Sequence, residues 1–74
     1  MDTKLENVIR KVFELNEEKI DEKWTSDDIP AWDSLGHLNL IMEIEREYNI
    51  KVEIEEMFDV ESIADIDTVI KKKI

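Results

Sequence analysis

Cysteine is missing altogether from this chain of 74 residues. Neither a disulfide framework nor a thiolate metal site can therefore supplement the core, and a reducing cytoplasm is the simplest setting. Glycine and proline occur once each, as Gly36 and Pro30, and there is no repeat or low-complexity tract. Long apolar runs are missing too: the opening stretch MDTKLENVIRKVFELNEEK places a charge at every third or fourth position. That pattern argues against a signal peptide or a membrane span, so a soluble cytoplasmic protein without membrane insertion is expected. Basic residues are scarce, ten against 20 acids, for a net charge of −10. Such a field repels nucleic acid and anionic lipid and favours partners with basic surfaces.

What is present is a short, acidic chain that is 42% hydrophobic. A domain of this length buries only a little over ~60% of the surface its unfolded chain exposes, so the core is thin and a deep enzyme pocket is not expected. One domain over residues 1–74, monomeric, follows. The acidity is uneven, because Asp33 to Asp67 holds 11 of the 20 acids and only two of the ten bases.

Leu5, Val8, Ile9, Val12 and Phe13 recur at the spacing of one helical stripe, which predicts a first helix from about Thr3 to Leu15. Asn16 to Trp32 shows no sustained period and holds Asp21, Ser26, Asp27, Asp28 and Pro30, residues that favour turns and caps. A connection this long must be tied down by its own apolar residues, and Ile20, Trp24, Ile29 and Trp32 are the candidates. The acidic stretch from Asp21 to Asp33 lacks the mid-loop glycine and alternating ligands of a calcium loop, and no metal site is expected there. Leu35, Leu38, Ile41, Met42, Ile44 and Tyr48, widened by Leu40, predict a broad-faced central helix from Ser34 to Tyr48, with Met42 in the core. Ile50, Val52 and Ile54 alternate like a strand but find no pairing partner, so an extended connection is expected. A short third helix over Glu55 to Asp59 would pack through Met57 and Phe58. Ile63, Ile66, Val69, Ile70 and Ile74 mark a fourth, capped by Ser62 or Asp65, with Lys71, Lys72 and Lys73 at the negative end of its dipole. The fold class is all-α: a four-helix bundle of three longer helices and one short, with a long first loop.

Asp33 is placed to cap the central helix and Ser34 to open it. There the hydroxyl would stand beside free backbone N–H groups at the positive end of the dipole, a setting that favours a bound or covalently attached phosphate. The alternative is that Ser34 is a second cap residue and nothing more. His37 follows three residues later on the same helical side, so a Ser–His nucleophile pair must be weighed. No third orienting group or oxyanion site accompanies it, no catalytic residue is expected, and a lone histidine of this kind is usually a surface contact. Gly36 either clears space for an approaching enzyme or reflects tolerance at a helix end.

Asp33-Ser34-Leu35, followed by Leu38, Leu40-Ile41-Met42, Ile44-Glu45, Glu47-Tyr48 and Ile50-Lys51-Val52, resembles the signature of acyl carrier proteins over nearly the whole chain. The resemblance implies a non-catalytic carrier whose Ser34 receives 4′-phosphopantetheine from coenzyme A, with Asp33 assisting the phosphopantetheinyl transferase and Leu35 contacting partner enzymes. Its partners would be that transferase and acyl ligases, synthases or transferases with basic docking patches. Leu35, Gly36, His37 and Asn39, with Glu43, Glu45 and Glu47, make up the face expected to meet them, the glutamates supplying part of a steering field. Gly36 and Asn39 stand where fatty-acid carriers commonly have acids, and Arg46 interrupts the acidic run. Trp32 before the motif and Gly36-His37 after it are similar to stand-alone carriers of specialised or surface-polysaccharide pathways. The cargo is expected to be acyl; an aminoacyl or peptidyl cargo, or an unmodified acidic interaction module, are the alternatives.

Overall fold

Asp2 opens the first helix by accepting the Leu5 N–H on its carboxylate at 2.8 Å. In the computed structural model, which describes residues 1–74, this helix, α1, runs Thr3–Phe13. It stops short of Leu15 because Glu14 turns into the left-handed region at φ 55°, its N–H and that of Leu15 both closing on the Arg10 carbonyl. Arg10 also reaches forward, donating from Nε to the Glu17 carbonyl at 2.9 Å and from its second terminal nitrogen to that of Glu18. The start of the long loop is thereby folded back on α1.

Three further helices follow: α2, Ser34–Tyr48; α3, Ile54–Asp59; and α4, Ile63–Lys71. Asn49 ends α2 in the left-handed conformation that asparagine tolerates well. Tyr48, at that end, donates to Asp2 at 3.0 Å, and burial together with this carboxylate pushes its phenol up to about 12. Residues Ile50 to Glu53 form a connection that belongs to no helix and pairs with no strand. Ser62 caps α4, and Asp65 returns the bond to the Ser62 N–H at 3.1 Å. The helix ends at Lys71, before Ile74; Lys73 lies beyond it and pairs with Glu56 at 2.8 Å.

Sixteen apolar side chains form one buried cluster. Leu5, Ile9 and Phe13 of α1 meet Leu40 and Ile44 of α2 and Ile63 and Ile66 of α4, while Ile20, Ile29 and Trp32 bring the loop into the same core. The loop is also stitched to α4: the Ile63 N–H donates to the Trp24 carbonyl at 3.0 Å, and that of Ala64 to the Glu22 carbonyl at 2.8 Å. Helix α3 contributes no buried residue. Phe58, expected to pack it, is 72% exposed, and Met42, expected in the core, is 56% exposed.

Candidate functional site

The first turn of α2 is organised by Asp33, whose carboxylate accepts the Gly36 N–H at 2.7 Å while its carbonyl takes that of His37 at 2.8 Å. Ser34 is the first helical residue and is exposed. Its own N–H and that of Leu35 find no acceptor in the protein. In α4, by contrast, the first two N–H groups are taken by the Trp24 and Glu22 carbonyls. An exposed hydroxyl beside two free donors suits a phosphodiester on Oγ.

Gly36 is not a clearance for visitors. It is buried, and a Cβ there would stand 2.0 Å from the Ala31 carbonyl oxygen and 3.2 Å from its carbon. Glycine is required because the turn Pro30-Ala31-Trp32 passes against the helix backbone at this point. The reason is internal, and it corrects both the surface reading and the thought of mere tolerance at a helix end.

His37 is half-buried, with both ring nitrogens engaged. Trp32 Nε1 donates to Nδ1 at 2.8 Å, and Nε2 lies 2.8 Å from the Met57 carbonyl. An indole N–H can only donate, so Nδ1 must accept and the ring proton sits on Nε2, donating to Met57. The rings are near coplanar, 14° apart with centroids separated by 6.1 Å, which is the geometry of an edge-on hydrogen bond. Neither nitrogen is left to activate Ser34, so the Ser–His pair is not formed, and His37 is an internal tie where a surface contact was expected.

Between the loop, the start of α2 and α3 lies an open cleft of about 890 Å³, with Ser34 on its edge and Trp32, Leu38, Met57 and Phe58 among its walls. Leu35 is 67% exposed beside it. Leu35, Leu38 and Met42 thus form a second apolar stripe on α2, turned outward from the stripe Leu40, Ile41 and Ile44 that faces the core. Asp27, Asp33 and Glu61 line the same cleft, and none of them pairs with a base.

The remaining expected partner residues do not share one face. Asn39 is exposed and borders a smaller groove with Lys11 and Met42, on the side toward α1. Glu43 is held by Arg46 at 2.5 Å and Lys11 at 3.1 Å, and hydrogen bonds from those two cations draw its carboxyl below the usual range. Glu45 accepts the Val52 N–H at 2.9 Å, fixing the chain that leaves α2. Only Glu47 is both exposed and unpaired. Sequence periodicity missed Phe58, Asp27 and Glu61 as parts of the cleft, because nothing local to those residues signals that loop and α3 converge on Ser34.

A small acidic helix bundle that displays an exposed serine at an open helix end has the form of a carrier domain. Residues 3–67 match the family model described as the phosphopantetheine attachment site. The solution structure of the holo acyl carrier protein from Geobacter metallireducens superposes with a TM-score of 0.86 at 33% identity, over 95% of this chain and 80% of that one. A chain from Mycobacterium tuberculosis has a TM-score of 0.84 at 20% identity, over 93% and 92% of the two chains, a likeness of fold. A comparison with curated protein sequences finds no match. The chain belongs to the phosphopantetheine-attachment family of acyl carrier proteins. Its prosthetic group is 4′-phosphopantetheine, and proteins of this kind work with a phosphopantetheinyl transferase and with acyl-handling enzymes. No helix is long and apolar enough to cross a membrane.

Proposed function

We propose that Ser34 is the attachment point of the phosphopantetheine arm and that residues 1–74 act as one monomeric, cytoplasmic acyl carrier domain. The supporting observation is the exposed Ser34 hydroxyl at the start of a 15-residue helix whose first two N–H groups are free. Those donors would hold the phosphodiester, and Asp33 would assist the transferase from the neighbouring position. When attached, the arm supplies a terminal thiol that carries acyl groups as thioesters. Incubation with coenzyme A, magnesium and a broad-specificity transferase is expected to add one phosphopantetheine mass to the protein and none to folded Ser34→Ala. Labelling of that variant, or failure of the folded parent with several transferases, refutes the assignment.

The carrier serves a dedicated pathway and not general fatty-acid elongation. Support comes from α2, where Lys11 and Arg46 neutralise Glu43 and Asn39 adds no charge, leaving little on the α1 side of the helix to engage a generic basic patch. Loaded with malonyl or long-chain acyl groups, the protein is expected to turn over roughly tenfold or more slowly with a general elongation set than that system's own carrier. Equal turnover counts against a dedicated partner set. Asn39→Glu with Arg46→Glu should recover part of the rate. An acid cannot be added at Gly36 in the same way, because the Ala31 carbonyl occupies its side-chain position.

A further inference from the structure

Helix α3 is six residues long and buries none of them. Its outer side chains Ile54 and Phe58 are 66% and 72% exposed. What holds it is little: Met57 half-buried against the core, Val60 just past its end, the Glu56–Lys73 ion pair, and one bond from α2, His37 Nε2–H to the Met57 carbonyl at 2.8 Å. The ion pair is half-buried and ties the side of α3 to Lys73, just past α4. The carbonyl that His37 reaches also takes the Val60 N–H at 3.3 Å, so His37 supplies a second donor where the helix runs out of its own.

The other end of the same ring is anchored in the core. Nδ1 accepts from Trp32, which is buried and stacks on Phe13 of α1 with centroids 5.2 Å apart. A continuous line therefore runs from α1 through Trp32 and His37 to the last turn of α3, crossing the floor of the cleft beside Ser34. We infer that His37 is a positioning residue: it fixes α3, and with it the exposed Phe58, relative to Ser34, and so sets the shape of the surface met by enzymes that act at that serine. The functional half of this inference rests on Ser34 being the attachment point; the structural half stands without it.

Three variants separate the two bonds of the ring. His37→Asn can still face Trp32 but is too short to reach Met57, His37→Gln can place an amide nitrogen near the Nε2 position, and His37→Ala keeps neither. On the unmodified protein, amide hydrogen exchange at Met57, Phe58 and Val60 is expected to be about tenfold faster in the Asn and Ala variants, the size of one lost hydrogen bond. In the Gln variant it should stay within about threefold of the parent. Leu40, Ile44 and Ile66 should be unaffected in all three. Parental exchange of α3 in His37→Asn, exchange in His37→Gln as fast as in His37→Ala, or a uniform increase across α1, α2 and α4 overturns the inference. For the transferase reaction, KM should rise about tenfold in His37→Asn with kcat retained and return toward the parent in His37→Gln; an unchanged KM beside a loosened α3 also overturns it. If the parent itself is never modified, the Ser34 assignment fails, while the exchange result still decides whether His37 positions α3.

Discussion

At Gly36 two stretches of backbone come so close that the side chain is decided by contact and not by helix propensity. In an open helix, alanine would be the better residue by about 1 kcal/mol. Here its methyl would press 2.0 Å from a backbone carbonyl, which no rotamer change relieves. Overpacking of this kind typically costs about 1–3 kcal/mol. Gly36→Ala is therefore expected to lower the melting temperature by roughly 5–15 °C, given the slope usual for a small domain. A thermal melt followed by circular dichroism checks it, and a melting temperature equal to or above the parent's would mean that the Pro30 turn simply moves aside. The glycine was conspicuous in the sequence as the only one in the chain, but its reason was not readable there, since Ala31 and Gly36 meet only once the loop has turned. His37 is the same case: its partners Trp32 and Met57 lie on a loop and a different helix.

The helices themselves were largely legible. Helix α2 has the expected ends because both are chemical: Asp33 caps one and Asn49 closes the other with a positive φ. Helix α1 shows one stripe and buries it. Where the reading failed, it failed on facing. On α2, apolar residues at Leu35, Leu38 and Met42 follow helical spacing as faithfully as Leu40, Ile41 and Ile44 do, and spacing cannot say which stripe finds a neighbour. On α3, six residues are too few to show a period at all, so hydrophobicity alone cannot tell that Met57 packs and Phe58 stays exposed. The cap of α2 also separates two duties of Asp33. Asn caps nearly as well as Asp, whereas Ala does not, at a cost of about 1 kcal/mol. Asp33→Asn should thus melt close to the parent and Asp33→Ala below it. If the carboxylate assists modification of Ser34, both variants should be modified slower by about tenfold or more, as read by mass spectrometry over time. Modification of the Asn variant at the parental rate would confine Asp33 to capping.

Across the whole molecule, the net charge of −10 was visible at once, but not where it is free to act. Four acidic sites are occupied by internal pairs, Glu6 with Arg10, Glu43 with Lys11 and Arg46, Asp67 with Lys71, and Glu56 with Lys73. The acids left unpaired around Ser34 are Asp27, Asp33 and Glu61 on the cleft. Glu47 is also unpaired, but it lies thirteen residues further along α2, about 20 Å by helical rise. That is two screening lengths at 0.1 M salt, where the Debye length is about 10 Å. An enzyme acting at Ser34 should therefore feel Asp27 and Glu61 far more than Glu47. In stopped-flow measurements with a phosphopantetheinyl transferase, the double variant Asp27→Asn, Glu61→Gln is expected to associate roughly three- to tenfold more slowly at low salt. Glu47→Gln should change the rate by less than about twofold, and the difference between the variants should vanish near 1 M salt, where screening acts within about 3 Å. An equal loss per charge at Glu47 would extend the docking footprint down the full length of α2. A rate independent of salt in every variant would mean that the acidity contributes to solubility and not to encounter.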